Sequence, residues 1–409
     1  MAIRRSPPDK APKRTPRSTA RKTPRGASAE ARVKPDPRLA QAERLLAQNK
    51  VGDAFRAAQE VLKENPIDWR TLEFVAPLLL AMNHLEMGIS ALQEALLHAP
   101  DVAEIRRELT GKFMLAALKT GLCHDRAIAI GQETLARHGP NANLFRGLIR
   151  LLNRSGRLAE AVSAADEAIA HFPGVWELYF NKSLPLMGLG RLEESVAAFS
   201  GGLQPLGSTS GKSAGTLRRQ YHTLAAGYDD NTLHQSFSAR MAGLIAEIVG
   251  PVAGKRILDA GCGTGLLATH LAAARLVGID LSPDMIAKAR VRKLYDELVE
   301  GDLTRTMSAR TDTFDIVTAA CVLYHIADLA PFFQESARLL IPRGHLFFSV
   351  DPASDIMDAG VATTGEFAHS RRYLRRLAAE TGFVEVAIRI MAHRATPGFW
   401  CAFQRRIAA

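Results

Sequence analysis

The feature that most constrains the fold is a loop in which glycine occupies every second position, directly after a short apolar run. The run Arg256–Ala260 predicts a buried strand, and Gly261, Gly263 and Gly265 follow it. Glycine lets the chain turn sharply and lets a ligand approach main-chain N–H groups. The apolar residues 266–268 predict a helix whose N-terminus faces that ligand. The pattern therefore predicts a strand, a ligand-binding turn and a helix.

The spacing of these glycines separates two classes of cofactor. Nicotinamide and flavin dinucleotide sites prefer the pattern G-x-G-x-x-G, with the pyrophosphate over a helix N-terminus. Here an acidic residue, Asp259, precedes a G-x-G-x-G run. A carboxylate at this position would repel a phosphate, but it can hold an amino group. The turn therefore favours a ligand with an amino group over a dinucleotide.

This pattern resembles the first motif of the Rossmann-like, S-adenosylmethionine-dependent methyltransferases of class I. The resemblance covers about residues 216–409, and the chain is similar to bacterial members of that family that carry N-terminal tetratricopeptide repeats. It implies an α/β domain with a seven-stranded, mostly parallel sheet. It also implies S-adenosylmethionine as the cofactor and an enzyme that transfers its methyl group.

Later residues fall where this family needs its cofactor contacts. A predicted strand ends at Asp280, 21 residues beyond Asp259, where a carboxylate can accept hydrogen bonds from both ribose hydroxyls. The resemblance makes Asp302 the counterpart of the acidic residue that contacts the adenine amino group. Tyr228 lies in a segment similar to the family's lid and would close the site. Structural alternatives stay open: Asp280 and Asp302 as loop caps, and Tyr228 as a core residue on one helix face with Tyr221.

Three titratable side chains are candidates for catalysis. Ligands in open α/β sheets bind at the carboxyl ends of strands; Tyr324 and His325 follow the predicted fourth strand, and Asp351 ends the fifth. Methyl transfer needs mainly alignment, and a base is required only when the acceptor must lose a proton. His325 could be that base, a substrate contact, or a residue that closes the strand–loop junction. His369 could contact substrate or be an exposed neighbour of the helix cap Ser370.

The first half of the chain carries a repeat of about 34 residues. Residues 156–161 recur as residues 190–195, a displacement of 34. The prolines that end successive units are Pro66, Pro100, Pro140 and Pro173. Small residues recur at the positions where two helices would approach closely: Ala54, Gly88, Ala161 and Ser195. The pattern resembles tetratricopeptide repeats, with about five helical hairpins and a longer turn in the third.

Stacked hairpins of this kind form a superhelix with a concave groove. We expect the groove to bind a protein partner, with oligomerisation or support of the catalytic domain as the alternative. Arg146, Arg150 and Arg154 lie four residues apart on one predicted helix. They are either a stripe for an acidic ligand or a solvated face.

The net charge of +10 is concentrated at the start of the chain. Residues 1–38 hold 12 Lys or Arg and 3 Asp or Glu, net +9, which leaves +1 for the remainder. Seven prolines in this segment oppose both a core and a long helix. We therefore expect a disordered basic tail with, at most, weak contacts to nucleic acid or an anionic membrane. The charge of the remainder gives no indication of nucleic-acid binding.

The predicted division is a tail over residues 1–37, a tetratricopeptide-repeat domain over 38–205, a flexible linker over 206–215 and a methyltransferase domain over 216–409. A hydrophobic content of 47% can supply a core for both domains. The sequence shows no signal peptide and no apolar run of the roughly 20 residues that cross a bilayer. Four scattered cysteines suggest a reducing cytoplasm and no metal site.

The sequence therefore predicts a cytoplasmic, S-adenosylmethionine-dependent methyltransferase. A small carboxylate, phenol or quinone-like acceptor is favoured. The absence of an Asn-Pro-Pro-Tyr-like block after the predicted fourth strand argues against methylation of an amide or adenine nitrogen. Two alternatives stay open. The repeats could select a protein whose side chain is methylated, or the cofactor fold could sense S-adenosylmethionine without turnover.

Overall fold

A computed structural model describes residues 36–208, 210–394 and 396–407. The predicted basic tail lies outside these residues except for Asp36 and Pro37. An all-helical part comes first along the described chain, and an α/β part follows it.

Within residues 36–208, ten helices follow one another in five packed pairs. They are α1 (Pro37–Ala47), α2 (Val51–Glu64), α3 (Trp69–Ala81), α4 (Leu85–His98), α5 (Ala103–Thr120), α6 (His124–His138), α7 (Ala142–Arg154), α8 (Leu158–His171), α9 (Trp176–Gly188) and α10 (Leu192–Gly201). Asp68 and Asn141 begin α3 and α7 by accepting hydrogen bonds from main-chain N–H groups of the first turn, which would otherwise lack partners.

Close packing between these helices depends on small side chains. Ala54, Ala161 and Ser195 are fully buried, and a Cβ atom on Gly88 would lie 2.7 Å from Leu80 Cγ. The longer turn predicted in the third unit is wrong. The extra length lies in α5, which has 18 residues where α3 has 13, because the helix continues to a left-handed glycine cap at Gly121.

The α/β part is built on a mixed sheet. Its described strands are β1 (Gln204–Pro205), β2 (Arg256–Ala260), β3 (Arg275–Asp280), β4 (Glu297–Glu300), β5 (Phe314–Ala319), β6 (Leu340–Ala353), β7 (Ala359–Val361), β8 (Phe367–Ser370), β9 (Phe383–His393) and β10 (Thr396–Arg405). The order is β1-β7-β8-β6-β5-β2-β3-β4, with β10 beside β6 and β9 beside β10. Strands β2 to β6 are parallel to their neighbours in that order.

The sheet has more strands than the predicted seven and is less parallel than predicted. The long strand β6 continues beyond β5, and its carboxyl end pairs with β8. Strands β7 and β1 then add antiparallel neighbours. Strand β10 also pairs antiparallel with β6, and β9 pairs antiparallel with β10. The buried parallel strands are near-continuous apolar runs, as expected where helices cover both faces.

Six further α-helices and two short 3-10 helices accompany this sheet in the described residues. They are α11 (Ala214–Ala225), α12 (Thr232–Val249), α13 (Pro283–Arg292), α14 (Leu303–Ser308), α15 (Ala330–Leu339), α16 (Arg371–Glu380), and the 3-10 helices Leu267–His270 and Leu323–His325. The full helix predicted after the glycine turn is therefore wrong. Because β3 begins at Arg275, the chain has room there for only a single turn.

The helical part shares a core with the sheet. Trp176 at the start of α9 and Phe199 in α10 pack with Leu203, Ala353 and Ala368 in one buried cluster. The carboxylate of Glu193 forms an ion pair with Arg371 at 2.5 Å, and β1 continues directly from α10 into the sheet. The last helical pair is thus fixed against β6 and β8.

We expect Trp176→Ala to destabilise this junction. Trp176 is buried, and its ring centroid lies 5.1 Å from that of Phe199 in an edge-to-face contact. Truncating a buried aromatic residue costs about 3–5 kcal/mol, so the free energy of unfolding measured by urea titration should fall by that order. Leu97→Ala is the control, because Leu97 is 70% exposed. Equal effects of the two substitutions would contradict a shared core.

Candidate active site

A cavity of about 470 Å³ lies where the carboxyl ends of β2, β3 and β5 meet. Its floor is the glycine turn after β2 and the end of β3. The segment after β5 forms a second wall, and α11, α12 and the turn between them form the cover. The carboxyl ends of parallel strands are the usual ligand site of an open α/β sheet.

The glycine turn is pinned to strand β3. The N–H groups of Gly261 and Cys262 both donate to the carbonyl oxygen of Ile279, at 2.7 and 2.9 Å. Gly261 has φ 82°, and a Cβ atom there would lie 2.7 Å from Val322, so only glycine fits. Gly261 and Gly263 line the cavity, whereas Gly265 lies outside its lining and faces the Tyr295 ring.

Asp259 is a buried carboxylate at the wall of the cavity. Its oxygens accept hydrogen bonds from the hydroxyls of Tyr295 at 2.7 Å and Thr318 at 2.9 Å. Burial raises the pKa of Asp259 to about 6. Since both of these partners are neutral, the group is suited to an additional cationic partner such as an amino group.

Asp280 ends β3 and faces the same cavity. One carboxylate oxygen accepts from the Gly263 N–H and the other from the Ser282 N–H, both at 2.8 Å. Burial raises the pKa of Asp280, although these hydrogen bonds act to lower it. Ser282, rather than Asp280, caps α13. Each oxygen of Asp280 retains a lone pair and could accept a ligand hydroxyl.

Asp302 has a structural role and also lines the cavity. It caps α14 by accepting a hydrogen bond from the Arg305 N–H at 3.0 Å. The loop-cap alternative from the sequence therefore describes its present contact. The side chain is exposed and contributes to the lining next to Gly301, so a ligand can still reach it.

The cover of the cavity is fastened to the glycine turn. Tyr228 lines the cavity, and its ring stacks on His234 with centroids 3.9 Å apart. Because α11 ends at Ala225, Tyr228 does not share a helix face with Tyr221. The next residue, Asp229, accepts a hydrogen bond from the Thr264 hydroxyl at 2.5 Å.

Tyr221 and His325 form a polar contact in the cavity lining, between α11 and the segment after β5. Tyr221 Oη lies 2.9 Å from His325 Nε2 and 3.0 Å from Tyr324 Oη. Burial lowers the pKa of His325 to about 4, and the positive charges of Arg394 and Lys212 contribute to that shift. The imidazole is therefore neutral near pH 7, and both Tyr221 and His325 line the cavity.

Two of the predicted catalytic side chains lie behind this wall. Asp351 is buried 2.7 Å from His393 Nδ1 and forms an ion pair with Arg394. Burial alone would raise the pKa of Asp351, but Arg394 and His393 bring it below its ordinary value. Because β6 continues to Ala353 and pairs with β8, Asp351 lies within the sheet instead of at its edge. The Tyr324 ring is covered by Arg394, whose guanidinium carbon lies 3.6 Å from the ring centroid.

Sequence reasoning missed three residues that line the cavity. Lys212 lies in the predicted flexible linker, yet its Nζ is 2.5 Å from Glu366 Oε1. The sequence predicts Tyr221 only as a core residue, and Arg394 follows β9, where no motif spacing indicates a site. Their shared position depends on how β9, the linker and α11 pack together, which no local pattern records.

His369 does not follow either prediction made for it. It is buried in β8 instead of exposed, and its Nε2 lies 3.1 Å from the carbonyl oxygen of Ala327. It lies outside the cavity lining. Ser370 does cap α16, as predicted, by accepting a hydrogen bond from the Tyr373 N–H.

Residues 36–208, 210–394 and 396–407 contain neither a metal-binding cluster nor a membrane-spanning helix. Among them, no group of three His, Cys, Asp or Glu side chains is placed to hold a metal ion. None of the helices in these ranges combines the length and apolar character that crossing a bilayer requires.

Comparison with known proteins identifies the class of this domain. Residues 258–348 match the family model described as "Methyltransferase domain", and these residues include the glycine turn, Asp280, Asp302 and His325. The C-terminal part of the chain therefore contains a class I methyltransferase domain, the class of enzyme whose methyl donor is S-adenosylmethionine.

Individual relatives are similar over part of their length. The ubiquinone biosynthesis O-methyltransferase of Cronobacter sakazakii is 33% identical over 123 residues, which cover 29% of this chain and 50% of that protein. Its counterpart in Alkalilimnicola ehrlichii is 38% identical over 111 residues, 26% of this chain and 45% of the relative. The chain thus spans about half the length of the curated relatives it matches. Magnesium protoporphyrin IX methyltransferase from Synechocystis PCC 6803, solved with bound S-adenosylhomocysteine, is 19% identical, with a TM-score of 0.37 over 47% of this chain and 99% of its own.

We expect His325 to remain neutral well below the usual range of histidine. Its pKa of about 4 follows from burial beside two cations. In an NMR titration of imidazole-labelled protein, the His325 signal, assigned with His325→Gln, should not shift between pH 8 and about 5. A midpoint near the ordinary histidine value would contradict the buried, electropositive site.

Proposed function

We propose that this chain transfers a methyl group from S-adenosylmethionine to a hydroxyl oxygen of a small acceptor. The observation that carries the proposal is one cavity that joins the Asp280 strand end and the glycine turn to the Tyr221–His325 pair. The O-methyltransferase relatives support oxygen as the acceptor atom. The acceptor would be a phenol, a carboxylate-bearing molecule or a quinone-like molecule.

The chemistry of the lining residues fits the cofactor. Asp280 would accept hydrogen bonds from the ribose hydroxyls, and Asp259 would hold the amino group of the methionine part. Gly261 and Gly263 would allow close approach to the main chain, while Asp302 would contact the adenine amino group and Tyr228 would close the site. When bound, S-adenosylmethionine supplies a methyl group on a positively charged sulfonium, which makes a strong base unnecessary.

The Tyr221–His325 pair would remove the proton of the acceptor. The acceptor hydroxyl would donate to Tyr221 Oη while the Tyr221 proton moves to His325 Nε2, 2.9 Å away. His325 is neutral near pH 7 and can accept a proton. Tyr324 Oη, 3.0 Å from Tyr221 Oη, would hold the tyrosine in place. Tyr324 and Asp351 thus would support the site from behind without touching substrate.

The cofactor assignment is tested by replacing Asp280 with Asn. Loss of hydrogen bonds to a charged group costs about 1.5–3 kcal/mol, so S-adenosylhomocysteine should bind about 10- to 100-fold more weakly by calorimetry. Asp284→Asn is the matched control, because Asp284 lies in the first turn of α13 but outside the cavity lining. Unchanged affinity in folded Asp280→Asn protein would remove the ribose assignment.

The binding of S-adenosylhomocysteine should also depend on pH through Asp259. An amino group favours the ionised carboxylate, whereas burial raises the pKa of Asp259 to about 6 in the free protein. As the pH falls below about 6, the protonated carboxyl must lose its proton on binding, so affinity should fall by up to about tenfold per pH unit. Above pH 7 this contribution should be constant. Asp259→Asn should bind weakly with a flatter profile; an unchanged profile would exclude Asp259.

We further propose that α1–α10 are tetratricopeptide repeats whose groove binds a protein partner. The 34-residue period and the buried small residues support this. Arg154 donates to the carbonyl oxygen of Leu118 at 2.6 Å, while Arg150 is exposed and makes no ion pair with the described residues.

Methylation of a recruited protein, or cofactor sensing without turnover, is the alternative function. The four free cysteines support a reducing compartment, and we propose the cytoplasm.

A further inference from the structure

Three cations line the cavity: Arg218 donates to the carbonyl oxygen of Leu281, next to Asp280, whereas Lys212 and Arg394 are the two whose charges act on His325. Lys212 comes from the segment before α11, and Arg394 comes from the turn after β9. Each has an acidic partner: Glu366 for Lys212 and Asp351 for Arg394. Neither acidic partner belongs to the cavity lining. In each ion pair, therefore, the positive side chain lines the cavity and can contact a ligand, whereas the negative side chain lies outside the lining.

Arg394 is held in an unusual conformation at this wall. Its backbone φ angle of 49° is in the left-handed region, which residues other than glycine rarely adopt. The ion pair with Asp351 and the contact with the Tyr324 ring keep the guanidinium in place. Its Nε is buried and has no hydrogen-bond partner among the described residues. Arg394 thus retains donor capacity that this arrangement leaves unused.

The negative residues of the cavity belong to other elements. Asp259 lies in β2, Asp280 ends β3 and Asp302 caps α14, and we propose that they contact the amino group, the ribose and the adenine of the cofactor. Lys212 and Arg394 both act on His325, where their positive charges help to lower its pKa. Lys212 and Arg394 therefore lie on the part of the lining that includes His325, where the acceptor hydroxyl would lie.

We propose that Lys212 and Arg394 bind a carboxylate of the methyl acceptor, so that the acceptor is an anionic hydroxy acid. This inference rests on the proposed function. Guanidinium matches the geometry of carboxylate, and an ammonium adds a second charge-assisted hydrogen bond. In the reaction the bond between the acceptor oxygen and the methyl carbon forms as the sulfur–methyl bond breaks. The hydroxyl proton passes through Tyr221 to His325, and the bound carboxylate is unchanged.

The test compares 4-hydroxybenzoate with its neutral isostere 4-hydroxybenzamide. Both are titrated by calorimetry into the full chain, with and without saturating S-adenosylhomocysteine. We expect 4-hydroxybenzoate to bind at least about tenfold more tightly than the benzamide, which corresponds to about 1.4 kcal/mol of binding free energy. Lys212→Gln should remove most of this preference and leave the affinity for S-adenosylhomocysteine within about twofold. Lys255→Gln is the control, because Lys255 lies outside the cavity lining.

Two further measurements separate recognition from a structural effect. Arg394→Lys keeps a positive charge beside buried Asp351 but removes the planar guanidinium. This variant should therefore fold and still lose part of the preference for 4-hydroxybenzoate over the benzamide. In the wild type, bound 4-hydroxybenzoate should raise the pKa of His325 above about 4, since a nearby anion favours the imidazolium. The benzamide should not.

Several results would overturn the inference. These are undetectable binding of 4-hydroxybenzoate, equal affinity for the benzamide, or a preference that Lys212→Gln leaves intact. If Lys212→Gln instead weakens S-adenosylhomocysteine, the cations hold the carboxylate of the cofactor and the inference is wrong. Failure of the wild type to bind S-adenosylhomocysteine would overturn the proposed function, whereas the titrations without it would still decide on the anion site.

Discussion

The site depends on the hydrogen bonds that join the glycine turn to the end of β3. Two consecutive N–H groups, of Gly261 and Cys262, converge on the carbonyl oxygen of Ile279, and the Gly263 N–H reaches the Asp280 carboxylate. This network fixes the turn after β2 against the end of the adjacent strand. As a result Asp259 and Asp280, far apart in sequence, border one cavity. Any residue at position 261 with a side chain would collide with Val322 and separate these two walls.

The rest of the molecule surrounds this turn. Asp229 accepts a hydrogen bond from Thr264 and forms an ion pair with Arg292, which ties the cover to the turn and to α13. The helical part acts at the other side: α9 and α10 share a core with β6 and β8. The chain then runs through β1 to Lys212. The position of the helical pairs is therefore linked to one wall of the cavity, and removal of those pairs would expose apolar residues of the sheet.

The sequence was most informative where a residue's position follows from strand geometry alone. Asp259, Asp280 and Asp302 border the cavity as expected, because the carboxyl ends of neighbouring parallel strands meet at one edge of a sheet. Asp351 was misplaced because the sequence gives no sign that β6 continues and pairs with β8. The sequence does not predict Lys212 and Arg394 as site residues, for a related reason. Their neighbours in the cavity come from distant elements, so only the packed chain brings them beside His325.

Length differences in the helical part show the same limit. The interval between Pro100 and Pro140 correctly indicated extra residues, but a count cannot say whether they extend a helix or a turn. In the structure they extend α5, because Gly121 rather than an earlier residue provides the left-handed cap. Likewise, apolar residues after Gly265 indicated a helix, and the early start of β3 reduced it to one turn. Local propensity identifies the element, and the neighbouring elements set its length.

A crystal structure of the full chain soaked with S-adenosylhomocysteine would show directly whether this cavity holds the cofactor. We expect the ribose hydroxyls to contact Asp280, the amino group to contact Asp259 and the sulfur atom to face the Tyr221–His325 pair. Lys212 and Arg394 should remain free of the ligand's carboxylate. Density for the ligand elsewhere on the chain, or with its ribose away from Asp280, would contradict the assignment of this cavity as the methyl-transfer site.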